Sequence, residues 1–73
     1  MSAITFNAAK KLTLDRLRQV RDEMPVAERR RPRYVINFKT YSVLDLITQV
    51  ERETVVGKEY VYDTAKQLGY YIP

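Results

Sequence analysis

The chain has 73 residues, no cysteine, no histidine and a formal net charge of +4. This length supports one small domain, near the size at which a single hydrophobic core is just sufficient to hold a fold. The missing residue types exclude disulfides, Cys/His zinc sites and the commonest groups for proton transfer and thiol catalysis. We therefore expect one domain over residues 1–73, with no cofactor and no metal, that is not an enzyme.

The positive charge is concentrated in the first half of the chain. Residues 1–39 contain ten Lys or Arg and four Asp or Glu, a net +6, whereas residues 40–73 contain three and five, a net −2, and the two sum to +4. This asymmetry predicts that one face meets an anionic partner, either nucleic acid or an acidic protein surface. The alternative is a basic surface that is merely solvated.

Membrane and export signals are missing from the sequence. No apolar run approaches the length of a membrane span, and the N-terminus has no signal-peptide pattern. The lack of cysteine suits a reducing compartment. We therefore expect a cytoplasmic protein that does not bind a membrane.

The chain opens with a short apolar patch followed by two lysines. Residues 1–11 are interpreted as either an edge strand or a flexible arm. Ile4 and Phe6 would share one face of a strand and, if exposed, are candidate anchors for a partner. Lys10 and Lys11 would add positive charge to the same candidate surface.

Residues 13–24 predict the first helix. Thr13 suits the N-cap, and Asp15 falls in the first turn, where a negative charge favours the exposed amides. Pro25 disfavours helical geometry before it and ends the element. Asn7 is an alternative start, because two alanines follow it. The apolar stripe of this helix consists of Leu14, Leu17, Val20 and Met24.

An arginine cluster follows in the connection over residues 26–33. Its four members are Arg29, Arg30, Arg31 and Arg33. Their guanidinium groups repel one another, and each can bind a phosphate or a carboxylate through two parallel hydrogen bonds. The cluster is therefore predicted to bind a partner, and a nucleic-acid backbone and an acidic protein patch fit equally. A solvated loop is the alternative.

Residues 34–40 are rich in β-branched and aromatic side chains and predict a strand. Period-two alternation assigns Tyr34, Ile36 and Phe38 to its core face. We expect this strand to pair with the tyrosine-rich tail at residues 70–72.

Two more helices are predicted in the second half. Residues 42–53 begin at Ser42, which has a capping-box-like partner three residues later and precedes a strong apolar stripe. Residues 58–68 fit a helical stripe that ends at Gly69, a suitable C-cap, although strand propensity is an alternative there. Together the elements predict a small α+β domain with about three helices, one short strand and an N-terminal arm.

Residues 34–68 resemble the ribbon-helix-helix DNA-binding proteins in their order of strand, capped helix, joint and second helix. In that family two strands pair across a dimer and their outward side chains enter the major groove. The resemblance implies that Val35, Asn37 and Lys39 read bases. A helix-turn-helix is a weaker alternative, because its candidate second helix over residues 58–68 has no net positive charge.

At full length, from Met1-Ser2-Ala3-Ile4-Thr5-Phe6 to Gly69-Tyr70-Tyr71-Ile72-Pro73, the chain resembles the small bacteriophage proteins that bind host RNA polymerase. The likeness lies in length and layout: a short apolar arm, a basic helix and a tyrosine-rich tail. It implies contact with the large polymerase subunits, inhibition of initiation and antitermination in the host cytoplasm.

The preferred hypothesis is a monomeric regulator of transcription that binds bacterial RNA polymerase, with possible nucleic-acid contact. A dimeric ribbon-helix-helix-like repressor is the alternative. A phage structural or assembly protein ranks third. The predicted partner-binding residues are Ile4, Phe6, Lys10, Lys11, Arg29, Arg30, Arg31 and Arg33.

Overall fold

The computed structural model describes residues 2–73 and confirms a small α+β domain. The elements in chain order are β1 (Ser2–Ala3), α1 (Phe6–Glu23), a short 3₁₀ turn (Val26–Glu28), β2 (Tyr34–Ile36), β3 (Lys39–Tyr41), α2 (Val43–Glu51), α3 (Val55–Gln67) and β4 (Tyr70–Tyr71). The three helices form the bulk of the fold, and the strands form two separate pairs, β1 with β4 and β2 with β3.

The first helix starts seven residues before its predicted position. Its N-cap is Thr5, whose Oγ1 accepts a hydrogen bond from the Ala8 amide at 3.1 Å. Thr13 is not a cap but a buried interior residue, and its hydroxyl donates to the Ala9 carbonyl at 2.8 Å. The alternative start near Asn7 was therefore the better one, and the predicted end before Pro25 is confirmed.

The N-terminal segment is part of the fold and does not form a free arm. β1 pairs in parallel with β4, with Ser2 opposite Tyr70. The Ile4 amide continues the pairing by donating to the Tyr71 carbonyl at 2.9 Å. The prediction that residues 70–72 pair beside residues 34–40 is therefore wrong, because the tail pairs with β1.

The predicted strand over residues 34–40 is in fact a hairpin. β2 and β3 run antiparallel, with Tyr34 opposite Tyr41. The turn between them consists of Asn37 and Phe38, which have φ values of 51° and 67°. Two successive positive φ angles are what the favoured two-residue hairpin turn requires. The β propensity was correctly identified, but the reversal at its centre was missed.

The second and third helices are confirmed, with shifted ends. Ser42 and Asp45 form a full capping box at the start of α2. α3 begins three residues earlier than predicted, at Val55, where Thr54 Oγ1 accepts from the Gly57 amide at 3.1 Å. Gly69 follows Leu68, the C-cap residue of α3, and its φ of +85° is the left-handed conformation that ends helices of this kind, so its predicted role in ending the helix is confirmed.

The core lies between the three helices. α2 is its centre, because its apolar stripe is almost fully buried against the other two helices. The hairpin packs at the edge of this core through its inner face, which carries Tyr34, Ile36 and Tyr41. The buried apolar residues are Ala9, Leu14, Leu17, Val43, Leu46, Ile47, Val50, Val61 and Ala65.

Candidate interaction surface

The arginine cluster lies in the loop that joins α1 to the hairpin. The 3₁₀ turn starts this loop, and the Arg31 amide donates to the Glu28 carbonyl at 3.1 Å. Pro32 then fixes its own φ and favours extended geometry in the residue before it, which directs the chain into β2. Arg30, Arg31 and Arg33 are exposed. The loop therefore presents three guanidinium groups to solvent.

Arg29 differs from the other three arginines. It is half-buried, and its Nε is buried without a hydrogen-bond partner among residues 2–73. The pKa of Asp22 is lowered, chiefly by the hydrogen bond from Arg21 and further by the charges of Arg21 and Arg29. Arg29 thus lies close enough to the end of α1 to interact with an internal carboxylate.

Only one member of the cluster has an ion pair within the described chain. Arg31 Nη1 lies 3.2 Å from Glu28 Oε1, and both side chains are well exposed. A surface pair of this kind contributes at most about 1 kcal/mol and can be exchanged for another carboxylate. Arg30 and Arg33 form no salt bridge with any residue in the range 2–73. Their charges are available to a partner.

The hairpin extends this basic loop. Residues 29–44 contain four arginines and one lysine, Lys39, and no Asp or Glu. On the outer face of the hairpin, Val35 is 71% exposed. Phe38, at the tip, is fully exposed. We call the exposed set Arg30, Arg31, Arg33, Val35, Phe38 and Lys39 the basic hairpin surface.

The hairpin is held to α3 by two specific contacts. The rings of Tyr34 and Tyr60 meet edge to face, with centroids 6.0 Å apart and an interplanar angle of 79°. The Asn37 side-chain amide donates to Glu59 Oε2 at 3.0 Å. These contacts hold the inner face and the turn of the hairpin against α3. The outer face and the tip of the hairpin therefore remain exposed on an element that is fixed in place.

Phe38 was wrongly assigned to the core face of a continuous strand. The turn at residues 37–38 breaks the alternation after Ile36, so the Phe38 ring points away from the core and is fully exposed. The same turn changes the role of Asn37, whose side chain is bonded to Glu59. Of the three residues that the ribbon interpretation made base readers, only Val35 and Lys39 remain free of such a side-chain contact with the protein.

The N-terminal candidates mostly have contacts inside the fold. Ile4 and Phe6 are half-buried against the core, and the Phe6 ring lies 5.9 Å from that of Tyr62. Lys10 Nζ donates to Glu53 Oε2 at 2.8 Å and to the Glu51 carbonyl at 3.1 Å, which satisfies the end of α2.

Lys11 is the most exposed of the four N-terminal candidates, and it pairs with Asp15 at 2.8 Å on the surface of α1. The N-terminal candidates and the arginine loop lie at opposite ends of this 18-residue helix. At 1.5 Å per residue, about 27 Å of helix separate Phe6 from the start of that loop, and about 20 Å separate Lys11 from it. The structure therefore divides the predicted binding residues into two groups.

Three further structural features concern membrane helices, metal-binding groups and surface grooves. Within residues 2–73, no helix is long and apolar enough to cross a membrane. No group of three or more Asp or Glu side chains in the same range is arranged to hold a metal ion. An open surface groove of about 390 Å³ is lined by Val55, Lys58, Glu59, Tyr62 and Asp63 on α3.

Comparisons with known proteins give no relative from which a function could be transferred. No protein-family model, no curated protein and no solved structure matches this chain. The basic hairpin surface is therefore the main structural basis for a functional proposal.

Proposed function

We propose that this chain is a non-enzymatic regulator of transcription that acts in the cytoplasm by binding bacterial RNA polymerase as a monomer. It contacts the large polymerase subunits, inhibits initiation and promotes antitermination. The resemblance to small bacteriophage regulators supplies the identity of the partner. One structural observation supports binding. Residues 29–44 carry five positive side chains and no Asp or Glu, and most of these side chains lie exposed on the loop and the hairpin.

The charge of this surface fits a carboxylate-rich protein patch. Among residues 2–73, Arg30 and Arg33 pair with no carboxylate, so binding desolvates no existing ion pair of theirs. Guanidinium groups can bind carboxylates through paired hydrogen bonds, and arginine is enriched at protein interfaces. The exposed apolar side chains of Val35 and Phe38 on the adjoining hairpin add the apolar area that a protein interface needs at its centre.

The fold is less suited to the ribbon-helix-helix alternative. In that alternative a strand must be free to pair with its copy in a second chain. Here β2 already pairs with β3 of the same chain, and the turn at residues 37–38 interrupts the continuous strand. A dimeric repressor of that design therefore has no support from this geometry.

The test is binding of the purified chain to purified bacterial RNA polymerase after nuclease treatment. The variant Arg30→Ser/Arg31→Ser/Arg33→Ser should weaken binding by about tenfold or more, because each interfacial charge contact contributes on the order of 1 kcal/mol. Its melting temperature should stay near that of the wild type, since all three side chains are exposed. In a transcription assay, the triple variant should no longer inhibit initiation at promoters and should no longer prevent termination at terminators.

The matched control is Arg52→Ser/Lys58→Ser/Lys66→Ser. It removes the same amount of charge from exposed positions outside the basic hairpin surface and should bind within about twofold of the wild type. Equal losses in the two variants would mean that only net charge matters. No binding by the wild type would refute the proposed function, and protection of duplex DNA by a dimer would favour the repressor.

A further inference from the structure

Phe38 occupies an unfavourable position on two counts. Its side chain is fully exposed, the most exposed of the large hydrophobic residues that the structure describes. Its φ of 67° belongs to the left-handed region, which side chains with a Cβ rarely adopt. After Asn37, the residue that this turn prefers is glycine. A phenylalanine here gives the free protein neither packing nor turn geometry.

A single exposed hydrophobic side chain needs no explanation by itself. Phe38, however, combines its exposure with left-handed backbone and with a fixed support. The turn is tied to α3 by the Asn37–Glu59 hydrogen bond, and the strand before it is docked by Tyr34 on Tyr60. An aromatic ring held on a docked element loses little conformational freedom on binding, which is the property of an interface anchor.

Charge complementarity identifies the kind of partner. Lys39 follows Phe38 directly, Val35 is exposed on the outer face of β2, and Arg33 precedes that strand, so two cations and one aliphatic side chain belong to the same hairpin segment as the ring. This pattern fits an apolar socket with acidic residues on its rim. Protein interfaces commonly have aromatic side chains at an apolar core and polar groups on the rim around it.

A nucleic acid fits the same tip less well. Single-strand binders stack successive bases on several exposed aromatic rings, whereas Tyr34 and Tyr41 of this hairpin face the core. The side of α3 next to the turn carries Glu59 and Asp63, which line one groove with Lys58. A long polyanion that followed the basic loop past the tip would meet these carboxylates, but a protein patch of limited extent would not.

We propose that Phe38 is the anchor of this surface and that it inserts into an apolar socket with an acidic rim on a protein partner. The proposal rests on the proposed function for the identity of that partner, the bacterial RNA polymerase. It extends the proposed function, because the affinity then depends on the hairpin tip as well as on the arginine loop.

The test uses purified RNA polymerase with the variants Phe38→Gly and Phe38→Leu. Phe38→Gly should weaken binding by about 30-fold, the effect of losing a hot-spot side chain. Its melting temperature should equal or exceed that of the wild type, because glycine suits the turn. Phe38→Leu keeps an apolar side chain at the tip and should recover most of the affinity.

The control is Tyr71→Ser, which removes a half-exposed aromatic side chain in β4, beyond the opposite end of α3 from the turn. It should bind polymerase within about twofold of the wild type. If Phe38→Gly binds polymerase as well as the wild type, the anchor proposal is wrong and the proposed function stands. If the wild type does not bind polymerase, both are wrong. If Phe38→Gly loses affinity for a labelled DNA oligonucleotide but not for polymerase, the socket is not on a protein.

Discussion

The packing of α3 against α2 depends on one glycine, and replacing it gives a sharp test of the fold. Gly57 is buried in the first turn of α3. A Cβ at this position would overlap the carbonyl group of Gln49 and would lie 2.8 Å from the amide nitrogen of Val50. These are backbone atoms of α2, so no side-chain rotation can relieve the overlap. Gly57→Ala therefore forces the two helices apart.

Two effects of opposite sign determine how Gly57→Ala changes the free energy of unfolding. Alanine is the better helix former, by about 1 kcal/mol relative to glycine. Overpacking against a neighbouring backbone costs about 3 kcal/mol at the upper end of the usual range, because the buried contacts around Val50 and Val61 must separate too. We expect a net loss of about 2 kcal/mol. A chain of this length has a total stability of about 4–11 kcal/mol, so the loss is a large fraction.

The assay is urea denaturation followed by circular dichroism, with thermal melting as a second measurement. A loss of about 2 kcal/mol corresponds to a drop of roughly 8–16 °C in melting temperature for a domain of this size. The matched control is Gly69→Ala, where an added Cβ meets no atom within 4 Å but the φ of +85° is unfavourable. That control should lose about 1 kcal/mol. If Gly57→Ala proves as stable as the wild type, the close approach of α2 and α3 is wrong.

Three further substitutions test individual contacts. Ser42→Ala removes half of the α2 capping box and should lower the free energy of unfolding by about 1 kcal/mol in urea denaturation, whereas a change below 0.3 kcal/mol would contradict the cap. Lys10 lowers the pKa of Glu53 from its ordinary 4.5, so this stabilisation is present above pH 4.5 and is lost as the pH falls through the lowered value. Acid titration of Lys10→Met should therefore show a shallower loss of stability than the wild type, and identical curves would exclude the ion pair. Burial raises the pKa of Tyr60 above 10.0, so stability should fall as the pH rises above 10, and Tyr60→Phe should reduce that alkaline loss in melting experiments.

The sequence predicted the helices better than the strands because helices carry local signals. The capping box at Ser42, the proline after α1 and the glycine after α3 each lie within a few residues of the end that they mark. The start of α1 was placed late because Thr13 was predicted to be the cap, whereas the actual cap, Thr5, lies in the segment that was interpreted as an edge strand or an arm. The sequence at Thr13 fits a cap, but burial and the bond to the Ala9 carbonyl put Thr13 inside the helix.

Strand pairing could not be predicted because it depends on contacts between distant parts of the chain. β1 and β4 are two residues each and join the two ends of the chain, so neither carries a periodic pattern. The hairpin had one usable local signal: Asn37 lies between two short runs of β-forming residues, and asparagine favours a positive φ. Phe38 continues the alternation of Tyr34 and Ile36, so the pattern favoured one continuous strand over a turn at Asn37.

The folded chain redistributes the charge that the sequence assigns to its first half. Four of the five Lys and Arg residues on α1 form salt bridges, and two of those acceptors, Glu51 and Glu53, belong to the acidic second half. In the segment from Arg29 to Lys39, the structure pairs only Arg31 with a carboxylate. The net charge of the α1 surface is therefore largely neutralised within the fold, and the unpaired charge is concentrated on the loop and the hairpin.

This distribution connects the charge asymmetry with the position of Phe38. If the basic residues were present only for solubility, the pairing would be expected to be similar along the first half, because solubility depends on net charge and not on its location. Four unpaired cations instead lie in the loop and hairpin that carry Phe38, the one large apolar side chain among residues 2–73 that is fully exposed. Adding salt should therefore weaken binding of the wild type and of Phe38→Leu in parallel, because the cations act independently of the ring. A loss of salt dependence in Phe38→Leu would mean that the ring positions the cations.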